Sequence, residues 1–176
     1  EAVGADAGGL VPGDYVVMAV LRETWVTRTE DKRRQLLDLG AEHVIVTDTE
    51  DVAKETKRLT EGRGADIVLD AIGGPAFQAL GEAAADDATY ILYGWLDARP
   101  ATVPMTWPVT VHGYNNALVT DTPDARRRAA AYLNSGLRDG TLRPAIAQTF
   151  DGLAHMPDAH RLMESNTHIG KIVVRP

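Results

Sequence analysis

Arg28 and Lys32, with Arg33 beside them, stand where an apolar stretch gives way to the first clear helical segment. A guanidinium can hold a phosphate through two donors, so Arg28 is the better anion ligand of the pair. The plainer reading is two solvated residues at a helix start, although Lys32 in a first turn opposes the helix dipole. Ala71-Ile72-Gly73-Gly74 follows another apolar run. Its glycines either let a backbone approach a ligand or make the tight turn into a helix begun by Pro75. Tyr93-Gly94-Trp95 closes the next apolar run. The Tyr93 hydroxyl could donate to a substrate oxygen, or be satisfied within a core. Gly170-Lys171 precedes the last apolar run, where an ordinary surface lysine is the simpler reading.

Other chemistries are poorly supported. His155 and His160 do not share a helical face, and no H-E-x-x-H accompanies them, so no metal site is expected. Ser135 and Ser165 are the only serines and neither lies in a G-x-S-x-G elbow. No phosphate-binding G-x-x-x-x-G-K-[ST] loop occurs. There are no cysteines, which excludes a thiol nucleophile, disulfides and thiolate metal sites, and fits a reducing compartment.

The elements that must position these residues alternate along the chain. Apolar runs at Tyr15–Val20, His43–Val46, Asp66–Ile72 and Thr89–Gly94 read as strands. Helical patterns over Glu30–Leu39, closed by Gly40, over Asp48–Arg63, and from Pro75 to about Ala85 separate the later ones. Strands apolar on both faces and joined by helices predict a parallel sheet covered on both sides. Beyond Trp95 come a Pro-rich loop over Asp97–Pro108, an alternating strand at Val109–Tyr114 and a helix from Asp121 to Asp139. The tail adds an alternation at Ala145–Phe150, a short helix after Pro157 and a strand at Ile169–Val174. With 44% hydrophobic and 24% charged residues in 176, the chain is neither disordered nor fibrous. A net charge of −7 argues against binding nucleic acid, whose phosphates demand a concentrated basic surface. No apolar run approaches the roughly 20 residues that span a bilayer, and Glu1–Asp6 lacks a signal-peptide pattern, so a cytoplasmic protein is expected.

Several stretches, taken in order, resemble a known family. They are Leu10-Val11-Pro12-Gly13-Asp14, Thr27-Arg28-Thr29 with Lys32, and Leu39-Gly40-Ala41-Glu42-His43-Val44-Ile45. Gly64 to Asp70 with Gly73-Gly74-Pro75, Tyr93-Gly94, Ala159-His160-Arg161 and Ile169 to Val174 continue the series. Together they resemble the cofactor-binding half of the medium-chain dehydrogenase/reductases, in their zinc-independent, quinone-oxidoreductase-like branch. The resemblance implies a Rossmann-like, doubly wound α/β fold, with residues 1–140 as the nucleotide-binding domain. It implies that residues 141–176 form a tail packing on an N-terminal barrel-like domain to which nothing here corresponds. It implies NADPH as cofactor, held by Arg28, Lys32, Ile72, Gly73, Gly74, Tyr93, Gly94 and Lys171, with Tyr93 as the one catalytic candidate. It further implies reduction of a quinone, enone or similar small molecule without metal, in a homodimer paired through the edge strand Val109–Tyr114. The alternative is a non-catalytic dimerisation or binding module derived from the same fold.

One departure from the family pattern is physical. Only Leu21-Arg22-Glu23-Thr24-Trp25-Val26 separates Val20 from Thr27, and no glycine-rich turn occurs there. Two parallel strands need a crossover of roughly a dozen residues. The segments therefore pair as an antiparallel hairpin, or the second strand is displaced, or a segment has been lost relative to the parent fold. The last reading is preferred here, since the connection lacks the usual glycine or Asn-Gly hairpin turn.

Overall fold

Tyr15–Ala19 (β1) and Arg22–Thr27 (β2) form an antiparallel hairpin, with Ala19 opposite Arg22 and Tyr15 opposite Val26. The computed structural model describes residues 15–19, 22–105 and 108–176. The family-like entry Leu10–Asp14 and the connection Val20–Leu21 lie outside the described residues. The short spacing between the first two runs is met by a hairpin, one of the readings it admits.

The other strands of the large sheet are His43–Val46 (β3), Ala65–Asp70 (β4), Ala84–Leu92 (β5) and Val109–Gly113 (β6). The sheet order is β3-β2-β1-β4-β5-β6. Neighbours β2–β3, β4–β5 and β5–β6 are parallel, whereas β1 is antiparallel to both β2 and β4. All strands except β1 therefore run the same way. Ile45, Val68 and Leu92 share one direction, with Val68 and Leu92 on adjacent strands and Ile45 beyond β2 and β1. This is the strand order of a doubly wound nucleotide-binding sheet with its first strand reversed.

Helices Arg33–Asp38 (α1), Val52–Leu59 (α2) and Ala76–Ala83 (α3) connect these strands. The predicted Glu30–Leu39 helix begins as a 3-10 turn over Glu30–Lys32. α2 is shorter than the Asp48–Arg63 pattern because Asp51 caps it, its side chain accepting the Lys54 N–H at 2.9 Å. Beyond Leu59, Glu61, Gly62 and Gly64 take left-handed backbone and end it. The core consists of Val26, Ile45, Val68, Ile72, Phe77, Leu80, Ala88 and Tyr90 with their small neighbours. Phe77 meets Tyr90 edge to face at 5.4 Å, and the buried Tyr90 hydroxyl donates to the Leu80 carbonyl at 2.9 Å.

The chain divides into two compact units, the first ending at Tyr114 and the second spanning Asn115–Pro176. In the second, Ala117–Thr120 (α4) precedes Pro123–Asp139 (α5), which Thr122 caps by accepting the Ala125 N–H at 3.2 Å. Ile146–Asp151 (β7) pairs in parallel with Lys171–Arg175 (β8), and Met156–Ser165 (α6) joins them.

Candidate functional site

Because β2, β4 and β5 run the same way, their C-terminal ends lie along one border of the sheet. Ligands bind at that border in open α/β sheets. β2 delivers Thr27 and Arg28 there. Thr27 is fully buried and, among the described residues, its Oγ1 has no hydrogen-bond partner. Arg28 is half-buried, and its Nε is likewise buried without a hydrogen-bond partner among the described residues. A hydroxyl left unsatisfied in a protein interior costs about 1–3 kcal/mol, so adjacent orphaned polar atoms at a strand exit ask for a polar ligand. Asp31 follows closely, its carboxyl held below the usual range by the Thr29 hydroxyl and its own backbone N–H, with Lys32 and Arg28 adding charge. Lys32 itself is only 5% exposed, so the expectation of a solvated residue at a helix start does not describe it.

β4 ends on Asp70, which has no exposed surface. Its carboxylate accepts the Ile72 N–H at 2.7 Å and the Gly73 N–H at 3.1 Å. Burial pushes the Asp70 carboxyl up from its ordinary value, and the two N–H donors pull against that shift. The turn residues Ile72, Gly73 and Gly74 are buried, and both glycines adopt left-handed backbone. A side chain on Gly74 would run into Asp97. Asp97 is in turn buried under Arg99, whose Nη2 donates to it at 2.6 Å.

β5 delivers Tyr93 and Gly94 beside that turn. The Tyr93 N–H donates to the Asp70 carbonyl at 2.9 Å and the Asp97 N–H to the Ile72 carbonyl at 2.9 Å, lacing the two exits together. Gly94 lies so close to the Ala71 carbonyl that any side chain would overlap it. Tyr93 is 48% exposed, and its hydroxyl is pushed above its ordinary range by burial first and then by the Asp70 charge. It therefore keeps its proton at neutral pH and can donate a hydrogen bond. Trp95, Leu96, Val103 and Met105 are exposed in the loop beyond it.

Arg28, Ile72, Gly73, Gly74, Tyr93 and Gly94 thus share a border, with β1 interposed between Arg28 and the rest. Strand spacing puts Arg28 about 10 Å from the β4 exit. Lys171 is exposed at the start of β8, in the second unit. Sequence reasoning missed Thr27 and Asp70. An Asp two residues before a turn N–H is the pattern of an Asx turn, which pointed to Asp70; nothing in the sequence marks Thr27.

Residues 39–174 match the profile of the family described as zinc-binding dehydrogenase. The chain belongs to that family. Among its relatives is a mycocerosic acid synthase-like polyketide synthase of Mycolicibacterium smegmatis, 33% identical over 165 residues covering 90% of this chain and 8% of the synthase. A 2-haloacrylate reductase of Burkholderia sp is 26% identical over 194 residues, covering 94% of this chain and 56% of the reductase. Among solved structures, a Bacillus thuringiensis protein described as an NADPH:quinone reductase superposes with a TM-score of 0.72 at 25% identity. It covers 86% of this chain, which spans 47% of that protein. The quinone-oxidoreductase-like branch of the medium-chain dehydrogenase/reductases, read from motif order, is thus the right neighbourhood for this chain. The chain spans only part of the curated relatives it matches, 8% of the synthase and 56% of the reductase. Among its described residues no cluster of three or more His, Asp or Glu is placed to hold a metal, and no helix is long and apolar enough to cross a membrane.

Proposed function

We propose that this chain is the cofactor-binding half of a cytoplasmic, zinc-independent NADPH-dependent oxidoreductase acting on a quinone, enone or similar conjugated small molecule. The observation that carries the reading is the pair of orphaned polar atoms, Thr27 Oγ1 and Arg28 Nε, at a parallel-strand exit. They fit the 2′-phosphate end of such a cofactor, and Lys32 adds buried positive charge nearby. The laced exits of β4 and β5 suit its other end, where Ile72, Gly73, Gly74 and Gly94 form a wall and Tyr93 offers a proton donor toward substrate. When bound, the nicotinamide supplies the hydride.

The middle of the cofactor fits less well. In the family's topology the opening strand runs toward this border and its glycine-rich exit receives the pyrophosphate on a helix N-terminus. Here β1 runs the other way and presents its entry, Tyr15, at this border. We therefore expect the chain by itself to bind NADPH no tighter than about millimolar. The test is NMR titration with 2′,5′-ADP and with NADPH. Perturbation centred on the Thr27 and Arg28 amides, lost in Arg28→Ala, supports the reading, whereas shifts confined to other surfaces overturn it. Micromolar NADPH binding would show that the pyrophosphate is held after all.

A second reading, a self-association module, is favoured by one observation. β6 is an outer strand with Thr110, Val111, His112 and Gly113 exposed, the arrangement that invites a second copy to extend the sheet. The homodimer through Val109–Tyr114 is part of both readings. The apolar side chains exposed in the tail, Ile146, Leu153, Met156 and Met163, support the packing of residues 141–176 on a further domain.

A further inference from the structure

The large sheet has two outer strands, β3 and β6, and the chain treats their free backbones differently. Along β3, Arg33 Nη1 donates to the Val44 carbonyl at 2.5 Å and the Val46 N–H donates to Glu50 Oε2 at 2.7 Å. The Val46 carbonyl accepts from the Thr49 and Glu50 N–H groups at 3.1 and 2.7 Å. Arg33 Nη2 also donates to Glu50 Oε2 at 2.8 Å, and its Nε is fixed by Glu30 at 2.7 Å. These bonds form one charge-assisted chain across the outward face of the strand. It borders a cavity of about 290 Å³ between α1 and α2. Along β6 the pattern is different: among the described residues, no hydrogen bond reaches its outward backbone groups. The Pro108 carbonyl and the Tyr114 N–H face β5, so by alternation Val111 turns its N–H outward.

A bare strand edge is a template for another strand, and inward-reaching charges are one way of closing it. We propose that the Arg33–Glu50 pair is an edge latch, closing the β3 border to a second copy of this chain and leaving β6 as the open border of the large sheet at which copies pair. A strand docking on β3 would have to strip Val44 and Val46 of these partners and separate the guanidinium from the carboxylate. The latch fixes stoichiometry. A two-fold pairing at one border gives a closed dimer, while pairing at both borders gives an open-ended chain. The β6 half of the statement rests on the homodimer proposed above; the β3 half stands without it.

The experiment is light scattering over a concentration series on the parent protein, Arg33→Ala/Glu50→Ala, Glu50→Gln, and the double variant with Val111→Pro added. Val111→Pro removes an outward N–H, a position at which proline is tolerated in edge strands. The double variant should grow beyond twice the protomer mass as concentration rises, and Val111→Pro should cap it at a dimer. Glu50→Gln, which can still accept the Val46 N–H, should match the parent. A folded double variant with the size of the parent at every concentration overturns the latch. A monomeric parent whose double variant dimerises upholds the latch and removes the β6 dimer. Should the double variant not fold, hydrogen exchange in the parent decides the matter. The Val46 amide should exchange at least about 100-fold more slowly than the free Val111 amide of the monomer at low concentration. Equal rates overturn the proposal.

Discussion

Asp70 holds the candidate site in shape from beneath. Its buried carboxylate is the partner of two turn N–H groups, and its carbonyl takes the Tyr93 N–H. Asp70→Ala should leave both turn donors unsatisfied and cost about 2–4 kcal/mol in urea unfolding, since each orphaned buried donor costs about 1–3 kcal/mol. Asp70→Asn keeps Oδ1 as acceptor for both and should cost less. The pH dependence separates the two roles of the group. Burial raises its folded-state pKa, so between the ordinary carboxylate value and the raised one the folded state holds the extra proton. Its contribution to stability is therefore present at acid pH and declines as pH rises through that window. Subtracting the Asp70→Asn unfolding curve from that of the parent should give a difference that falls from pH 4 to pH 7; a flat difference would contradict the assignment. The turn and the tyrosine were legible in the sequence because glycines and aromatics at the ends of apolar runs are visible there. The carboxylate beneath them has the spacing of an Asx turn, but only its burial separates it from a surface acid of the same spacing.

Among the elements, β3 and the exits of β4 and β5 carry the testable content. The Glu50 carboxyl lies below the ordinary glutamate range, chiefly because it accepts the Val46 N–H, with Arg33 and Arg58 adding positive charge. Glu42, His43 and Glu55 also line the adjoining cavity. A depressed folded-state pKa means that this contribution is present above the unfolded value and lost as pH falls through the folded one. Val46 amide protection should accordingly fade at acid pH before that of Ile45, and hydrogen exchange at pH 3 and pH 6 reads it. Gly94→Ala should force the two exits apart, because the added carbon overlaps the Ala71 carbonyl, and lower stability by about 1–3 kcal/mol in thermal unfolding. The parallel strands, their order of appearance and the helices between them were legible because apolar runs and caps are local signals. The direction of β1 was not. The spacing admitted a hairpin, but Val20-Leu21 carries no hairpin turn residue, and the pairing of β1 with β4 is a long-range choice that local chemistry does not announce.

For the whole molecule, the reversed opening strand separates scaffold from ligand chemistry. The sheet order is that of a nucleotide-binding fold, yet its centre cannot place a helix start under a pyrophosphate at the candidate border. The same strand has a mechanical consequence. Within the sheet, β1 is the single seam between a two-stranded ribbon, β3 and β2, and a three-stranded block, β4 to β6. Each block is internally parallel, and beyond β1 the two share the core in which Val26 and Ile45 join Val68 and Phe77. A proline at Val17, which lies between Thr24 and Val68, should therefore weaken the hydrogen-bonded link between the blocks and leave that core to hold them together. Calorimetry should then show the unfolding of the large sheet at lower temperature and over a broader range than in the parent chain.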